Sequence, residues 1–482
     1  MSFEHLGLTG LLLYLAVLAA VAELARRARR SATPADHFLG GRDLGVFVLF
    51  LTLYATAYSG NSLLGYPGEA YRRGFSWIMA TGFMLSIIVV FHLLVPKLRP
   101  LAVVHGFVAP GDWVRHRFGE APAGRALRFG VGLIMATALA NYLLAQLKAM
   151  GMMAEQVTGG IVPYEAGVVV LAATILAYET LGGMRAVAWT DATQGVLMLV
   201  GLGALLAWLV SEAGGFGEIT RGIRAVRPEA SAVPDARECA NWASTIALMG
   251  LASAIYPQAI QRIYAARSGA VLRRSLALMT FMPLLTILVV TWIGFAAIPR
   301  FEDLGVVEAD RVMALVLGSW AGSGSVQAVA AMLVFLGVLA AIMSTADSVL
   351  LSLGSIVAGD LVGRSRDDPA TTRLGKRIAA AVMIAAAIVA LIARDVTLWG
   401  LIELKMELLI QCVPAFLIAI HWRGLRAGPA AAGLLVGSAI ACSGVLLEMP
   451  RVAGVHLGLI GLAVNTGIGV VGSALVQRVP GR

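Results

Sequence analysis

Four oxygen-bearing side chains crowd into about one helical turn of an otherwise apolar stretch: Ser344, Thr345, Asp347 and Ser348, within Ala340-Ala341-Ile342-Met343-Ser344-Thr345-Ala346-Asp347-Ser348. Hard cations such as sodium take oxygen ligands, by the same logic that governs calcium and magnesium. Ser and Thr in such a stretch also back-bond to the carbonyl one turn earlier, or fill a close helix contact. A carboxylate is harder to place, because at a bilayer centre it costs about 2.5–3.5 kcal/mol or more. Asp347 therefore needs a partner: a cation, nearby backbone amides, or a basic residue such as Arg262. A second acid, Asp191, follows Gly182-Gly183-Met184-Arg185 and either caps the helix it opens or joins a polar site.

Other charged groups read more blandly. Glu403 and Glu407 share a helical face while Lys405 points elsewhere, and their place near a helix start predicts solvated or snorkelling positions. Lys148 and Glu155 are expected at the outer end of their helix for the same reason. There is no phosphate-cradling glycine loop followed by Lys, no His-rich metal spacing and no nucleophile paired with a base. His37, His92, His105 and His116 are isolated, Gly40-Gly41-Arg42 reads as an interfacial turn, and Cys239, Cys412 and Cys442 are too scattered for a disulfide framework. An enzyme is not indicated.

These residues are carried by long apolar elements. Of 482 residues, 59% are apolar and 13% charged, about half the charge of an ordinary soluble chain. About thirteen spans are expected, at roughly 6–25, 44–71, 76–95, 124–150, 163–180, 188–211, 241–265, 275–298, 324–361, 376–394, 397–420, 428–448 and 454–476, with no soluble domain at either end. The first is followed, not preceded, by Arg26, Arg27, Arg29 and Arg30, so it is a membrane helix rather than a signal peptide. Roughly 25 of the 37 Lys and Arg fall in alternate loops, which puts the N-terminus outside and the C-terminus in the cytoplasm. The net charge of +9 is then a loop excess and not a nucleic-acid surface.

Two spans are interrupted. The second contains Ala57-Tyr58-Ser59-Gly60-Asn61-Ser62 and Gly65-Tyr66-Pro67-Gly68; the seventh contains Ser253-Ala254-Ile255-Tyr256-Pro257-Gln258. Each is a simple kink or a ligand-binding break. Each also opens a set of five spans, 44–211 and 241–420, and an odd number forces the two sets to be inverted. Paired broken helices in two halves point to a transporter's central site.

Phe38-Leu39-Gly40-Gly41-Arg42, Gly65-Tyr66-Pro67-Gly68-Glu69-Ala70-Tyr71, Tyr178-Glu179-Thr180-Leu181-Gly182-Gly183-Met184-Arg185-Ala186, Gln261-Arg262 and Met343-Ser344-Thr345-Ala346-Asp347-Ser348 occur in that order across 38–360. Together they resemble the sodium/solute symporter family of proline, pantothenate, monocarboxylate and glucose transporters. The resemblance implies an all-α membrane protein with a five-plus-five inverted-repeat core, broken first and sixth core helices, one helix before the core (6–25) and two after it (428–476). It also implies sodium-driven uptake by alternating access. It places sodium on the carbonyls of Ala55, Tyr58 and Ala341 and the hydroxyls of Ser344 and Thr345. It places substrate near Asn61, Ser62, Tyr142, Gln146, Ser253, Tyr256, Pro257 and Gln258, and a second cation at Asp191, Asp347 and Ser348. Proline-type members carry an acid at Ala57 and an aromatic at Met249, and sugar-type members a Glu-Gln pair at Asn61-Ser62; the general run is closer to the pantothenate and monocarboxylate branches.

The sequence is thus read as a sodium-coupled symporter in a bacterial-type inner membrane, importing a small organic acid or amino-acid-like solute. Its partners are that solute, sodium and the bilayer, with no nucleic acid and no obligate protein. The alternatives are a proton-coupled transporter of the same fold, using Asp191 or Glu407, and a transporter-like sensor.

Overall fold

The computed structural model describes residues 3–27, 33–301, 304–363, 368–393, 396–447 and 449–478. Arg29, Arg30, Arg364 and Arg366, which the charge pattern assigns to cytoplasmic loops, lie outside the described residues. The described chain is helical almost throughout. Among those residues the strands are Arg451–Val452 and Val455–His456, a small antiparallel hairpin before the last helix.

Nine helices of the described residues are long and apolar enough to cross a membrane, or ten if one bent pair counts as a span. That measure does not reproduce thirteen, because several expected spans are interrupted. Val46–Ala57 is a short apolar helix ahead of a break, and Leu398–Leu409 reaches His421 only through a tightened turn and a wide turn at Pro414. Helix also forms in two stretches expected as loops, Phe216–Val226 and Val312–Gly322.

Ser325–Ile356, about 48 Å long at 1.5 Å per residue, is the central element. Every residue from Gly337 to Ile356 is buried, so this stretch is enclosed on all faces by the rest of the bundle. Small residues let neighbours approach it: a Cβ on Gly201 would meet Val334, and one on Gly337 would meet Leu197.

Spans 163–180 and 188–211, expected as separate helices, form one helical run, Tyr164–Ala213. Its contacts show two arms. Tyr164 donates to Ala390 O at 2.9 Å and Thr180 O accepts from Lys376 at 2.5 Å, so the first arm runs antiparallel to Pro369–Ile392. Asp191 meets Ser344, and Gly201 packs on Val334, so the second runs antiparallel to the central helix. Pro369–Ile392 itself folds back along the central helix, with Gly375 against Gly354, so the chain reverses between Thr180 and Asp191.

Gly40-Gly41-Arg42 is a left-handed turn, with φ of 60°, 71° and 58°. It aims Arg42 at the carbonyls of Tyr264 (3.0 Å) and Phe107 (2.6 Å). Beside it Leu44 N–H donates to Ala265 O and Arg267 N–H to Leu44 O, tying the start of one broken helix to the end of the other.

Candidate functional site

The first break begins where Val46–Ala57 ends. Tyr58 N–H closes on Tyr54 O at 3.0 Å, and Ser62 and Leu63 N–H both turn to Ser59 O at 2.9 Å. The carbonyls of Ala55 and Tyr58, whose in-line donors would be Ser59 and Ser62, fall outside the ladder and are free for other partners. Gly60 N–H crosses to Gln146 Oε1 at 3.0 Å. A Cβ at Gly60 would sit 2.9 Å from both Ala149 Cβ and Ile342 Cγ1, so only glycine lets this break lie between its two neighbouring helices.

The second break separates Ala236–Ala254 from Pro257–Ala265, which meet at 48°. Ile255 and Tyr256 N–H bend back to the carbonyls of Ala252 and Ser253 at 3.2 Å. Pro257 then starts the next helix at a position where a missing N–H costs nothing.

Both breaks open on one cavity, with about 760 Å³ of empty space including its mouth. Asn61 and Ser62 line it from the first break, Ser253, Tyr256 and Gln258 from the second, and Tyr142 from Pro122–Val157. Gln146 and Pro257, expected with them, shape the breaks and are not part of the lining. Both amide atoms of Asn61, Oε1 of Gln258 and Oγ1 of Thr56 are buried without a hydrogen-bond partner, and all three residues face the cavity. Buried polar atoms are nearly always paired, so such a group at one cavity is shaped for a polar ligand.

The cavity touches the central helix through Tyr142, whose hydroxyl lies beside Ser59 and Thr345. Thr345 Oγ1 donates to Ala341 O at 3.1 Å, and Ser344 Oγ donates to Asp191 Oδ1. A hydroxyl that gives its proton away leaves its lone pairs for a cation. With the freed carbonyls of Ala55 and Tyr58, this donor set fits a hard monovalent ion.

Residues 37–437 match the sodium:solute symporter family. The chain belongs to that family. It is similar to the high-affinity proline transporter PutP of Bacillus subtilis, 27% identical over 413 residues, covering 84% of this chain and 85% of the relative. It is also similar to the sodium/pantothenate symporter of Escherichia coli, 30% identical over 195 residues, 40% of this chain and 39% of the relative. Among solved structures, a Na+-coupled sialic acid symporter superposes with a TM-score of 0.76 over 98% of both chains at 17% identity, which establishes the shared fold. The protein is therefore a multi-pass membrane transporter and not an enzyme, and sodium is its coupling ion.

In this symporter two of the residues expected at a second cation site, Asp191 and Ser348, meet an arginine. Asp191 is fully buried on the second arm of its helix and does not cap an interface. Arg262 Nη2 reaches Asp191 Oδ2 at 3.1 Å and Ser348 Oγ at 2.5 Å, and Nε reaches Thr52 Oγ1 at 2.9 Å. Thr52 in turn donates to Asp191 Oδ2. Asp347 accepts from Ser348 Oγ at 3.2 Å. The arginine expected as a partner for Asp347 is thus found on Asp191.

The acid–base cluster near the eleventh span differs from its expectation. Glu403 pairs with Arg451, and Glu407 is buried against His456 Nδ1 (2.5 Å) and Gly458 N–H. Lys148 is buried and donates to Val396 O. Lys405 is 2% exposed and lines the cavity, its Nζ 3.1 Å from the centroid of Tyr142 and 5.4 Å from that of Tyr256. Periodicity around the helix gave the right face for Lys405, away from the glutamates. It could not show that this face meets the two tyrosines.

Proposed function

We propose that this symporter carries a small organic acid or amino-acid-like solute, bound in the cavity between the two breaks, together with one sodium ion. The observation that carries the reading is the unpaired amide atoms of Asn61 and the unpaired Oε1 of Gln258, one residue at each break, facing the same cavity. Sodium takes the carbonyls of Ala55, Tyr58 and Ala341 and the hydroxyls of Ser344 and Thr345. Arg262 holds the place of a second cation beside Asp191 and Ser348. The solutes in the relatives' names, proline, pantothenate and sialic acid, all bear a carboxylate, which supports an acid or amino-acid-like substrate.

Residues 44–211 and 241–420 act as inverted halves, each opening with its broken helix, and rock against one another around the site. The N-terminus lies outside and the C-terminus in the cytoplasm of a bacterial inner membrane, by the basic loops; a reporter after Arg482 active only outside would reverse this. For a neutral solute, one sodium moving down about 100 mV and a tenfold gradient supplies about 2.3 plus 1.4 kcal/mol, enough for accumulation of several hundred-fold.

The test is a thermal-shift screen of metabolites against the purified protein, with and without sodium at fixed pH. A solute that stabilises only in sodium supports the reading. Stabilisation that ignores sodium and follows pH would favour proton coupling instead. A Hill coefficient near one for sodium is expected, and a value near two would restore the second cation.

A further inference from the structure

Two lysines are buried in this bundle, and they are treated differently. Lys148 has a carbonyl, Val396 O, at its ammonium. Lys405 has neither carboxylate nor carbonyl among the described residues. It rests on the faces of Tyr142 and Tyr256, which stack at 5.6 Å and 9°. Among the described residues the cavity it faces is lined by no aspartate or glutamate, so Lys405 is the lining residue able to carry a charge, and that charge is positive. The cation–π contact holds the ammonium in place, yet it leaves N–H donors without an acceptor in a region where a lone charge is costly.

Resting on the symport reading above, we propose that Lys405 is the anchor for a substrate carboxylate and selects monocarboxylate anions over neutral and zwitterionic solutes. The ammonium supplies the charge-assisted donors a carboxylate needs, and the stacked tyrosines fix it on the cavity wall. Asn61 and Gln258 offer both donors and acceptors, which suits a hydroxyl, carbonyl or amide on the same solute. Phe83, Phe91, Met249 and Met279 surround the remaining space and suit a compact apolar body; methionines adapt to its shape. An amino acid's ammonium would find no acidic partner here and would face Lys405 as a like charge. With one sodium and one monoanion no net charge crosses, so accumulation follows the sodium ratio and not the membrane potential.

The test uses the purified full-length chain and thermal shift with and without sodium. The probes are lactate, 2-oxoisovalerate and pantothenate, their neutral counterparts lactamide and panthenol, and the zwitterions L-alanine and L-proline. At least one carboxylate should bind in sodium, with its neutral counterpart and the zwitterions at least tenfold weaker. Lys405→Met should weaken the carboxylate at least tenfold, while Lys405→Arg should recover part of the loss. Stabilisation by sodium alone should be the same in all three proteins, which shows that each is folded. The proposal is overturned if no carboxylate probe binds, if L-proline or a neutral probe binds as tightly as the carboxylates, or if Lys405→Met keeps the parent affinity. A neutral or zwitterionic solute that still requires sodium would leave the symport reading standing, whereas a carboxylate that binds equally without sodium would count against that reading and not against Lys405.

Discussion

Two polar clusters lie close together in the membrane-buried core, and they are finished to different degrees. Around Arg262, every group named has its counterpart: the guanidinium meets Asp191, Ser348 and Thr52, and Asp191 also accepts from Ser344 and Thr52. Around the cavity, Asn61, Gln258 and Thr56 keep unpaired atoms, and Lys405 rests on aromatic faces with no carboxylate or carbonyl at its ammonium among the described residues. A satisfied network rigidifies what it joins, here both broken-helix halves and the central helix; an unsatisfied one stores a demand that a ligand meets. Ser344 and Thr345 sit on the seam, since Ser344 belongs to the closed cluster and Thr345 lies beside Tyr142 of the open one. Ion and solute would therefore be felt by adjacent residues of one helix, which gives their coupling a short path.

Breaking the closed cluster should have the largest effect. Arg262→Met leaves Asp191 as a buried unpaired acid, a loss of about 3–5 kcal/mol. It should appear as poor yield of folded protein and a steep fall in melting temperature. Asp191→Leu combined with Arg262→Met should recover much of that loss, and a double variant no better than the single would mean the pair is not the source of stability.

The seam comes next. Thr345→Val keeps the shape and removes one oxygen of the proposed sodium site, so sodium affinity should fall at least tenfold, about 1.4 kcal/mol. Solute affinity measured in sodium should follow, because coupling is reciprocal. Melting without sodium should hardly move. Unchanged sodium dependence in solute-uptake assays would place the ion elsewhere.

In the open cluster the balance reverses. Gln258→Ala removes an atom that has no partner in the protein, so stability should change by only about 0.5 kcal/mol or less. Solute affinity should drop roughly tenfold, a lost hydrogen bond of about 1–1.5 kcal/mol. Calorimetric binding beside a melting curve separates the two, and a variant that melts low while binding normally would make Gln258 structural.

Asp310, outside the membrane-spanning segments, is an intermediate case: a buried acid with Leu398 N–H at 2.9 Å. Burial pushes its carboxyl up to about 6, against the opposing pull of that amide and of Lys148. The folded state thus favours the protonated form. Its contribution is complete below pH of about 4 and is lost as pH rises through about 6. Asp310→Asn should flatten that slope, by about 1 kcal/mol or less between pH 5 and 6. Melting curves across that range read it directly, and an unaltered slope would assign the titration to another group.

Apolar runs, the interrupting Gly60 and Pro257, and the hydroxyls of Ser344 and Thr345 were legible in the sequence, because span length, backbone breaking and donor type are local properties. So was the reversal between Thr180 and Asp191, although helical bonding runs through it. Partner choice was not legible. Asp191, Asp347, Arg262 and Lys405 are each one charged residue in an apolar stretch. Whether such a residue is neutralised, left facing a cavity or exposed depends on side chains up to 263 positions away, as Tyr142 is from Lys405. Sequence by itself determined that polar atoms would be carried into the membrane and where the helices would break. Only the tertiary structure decided which of those atoms are already satisfied, because pairing is settled by which helix faces meet, and a single helix's periodicity fixes the face without fixing what lies opposite.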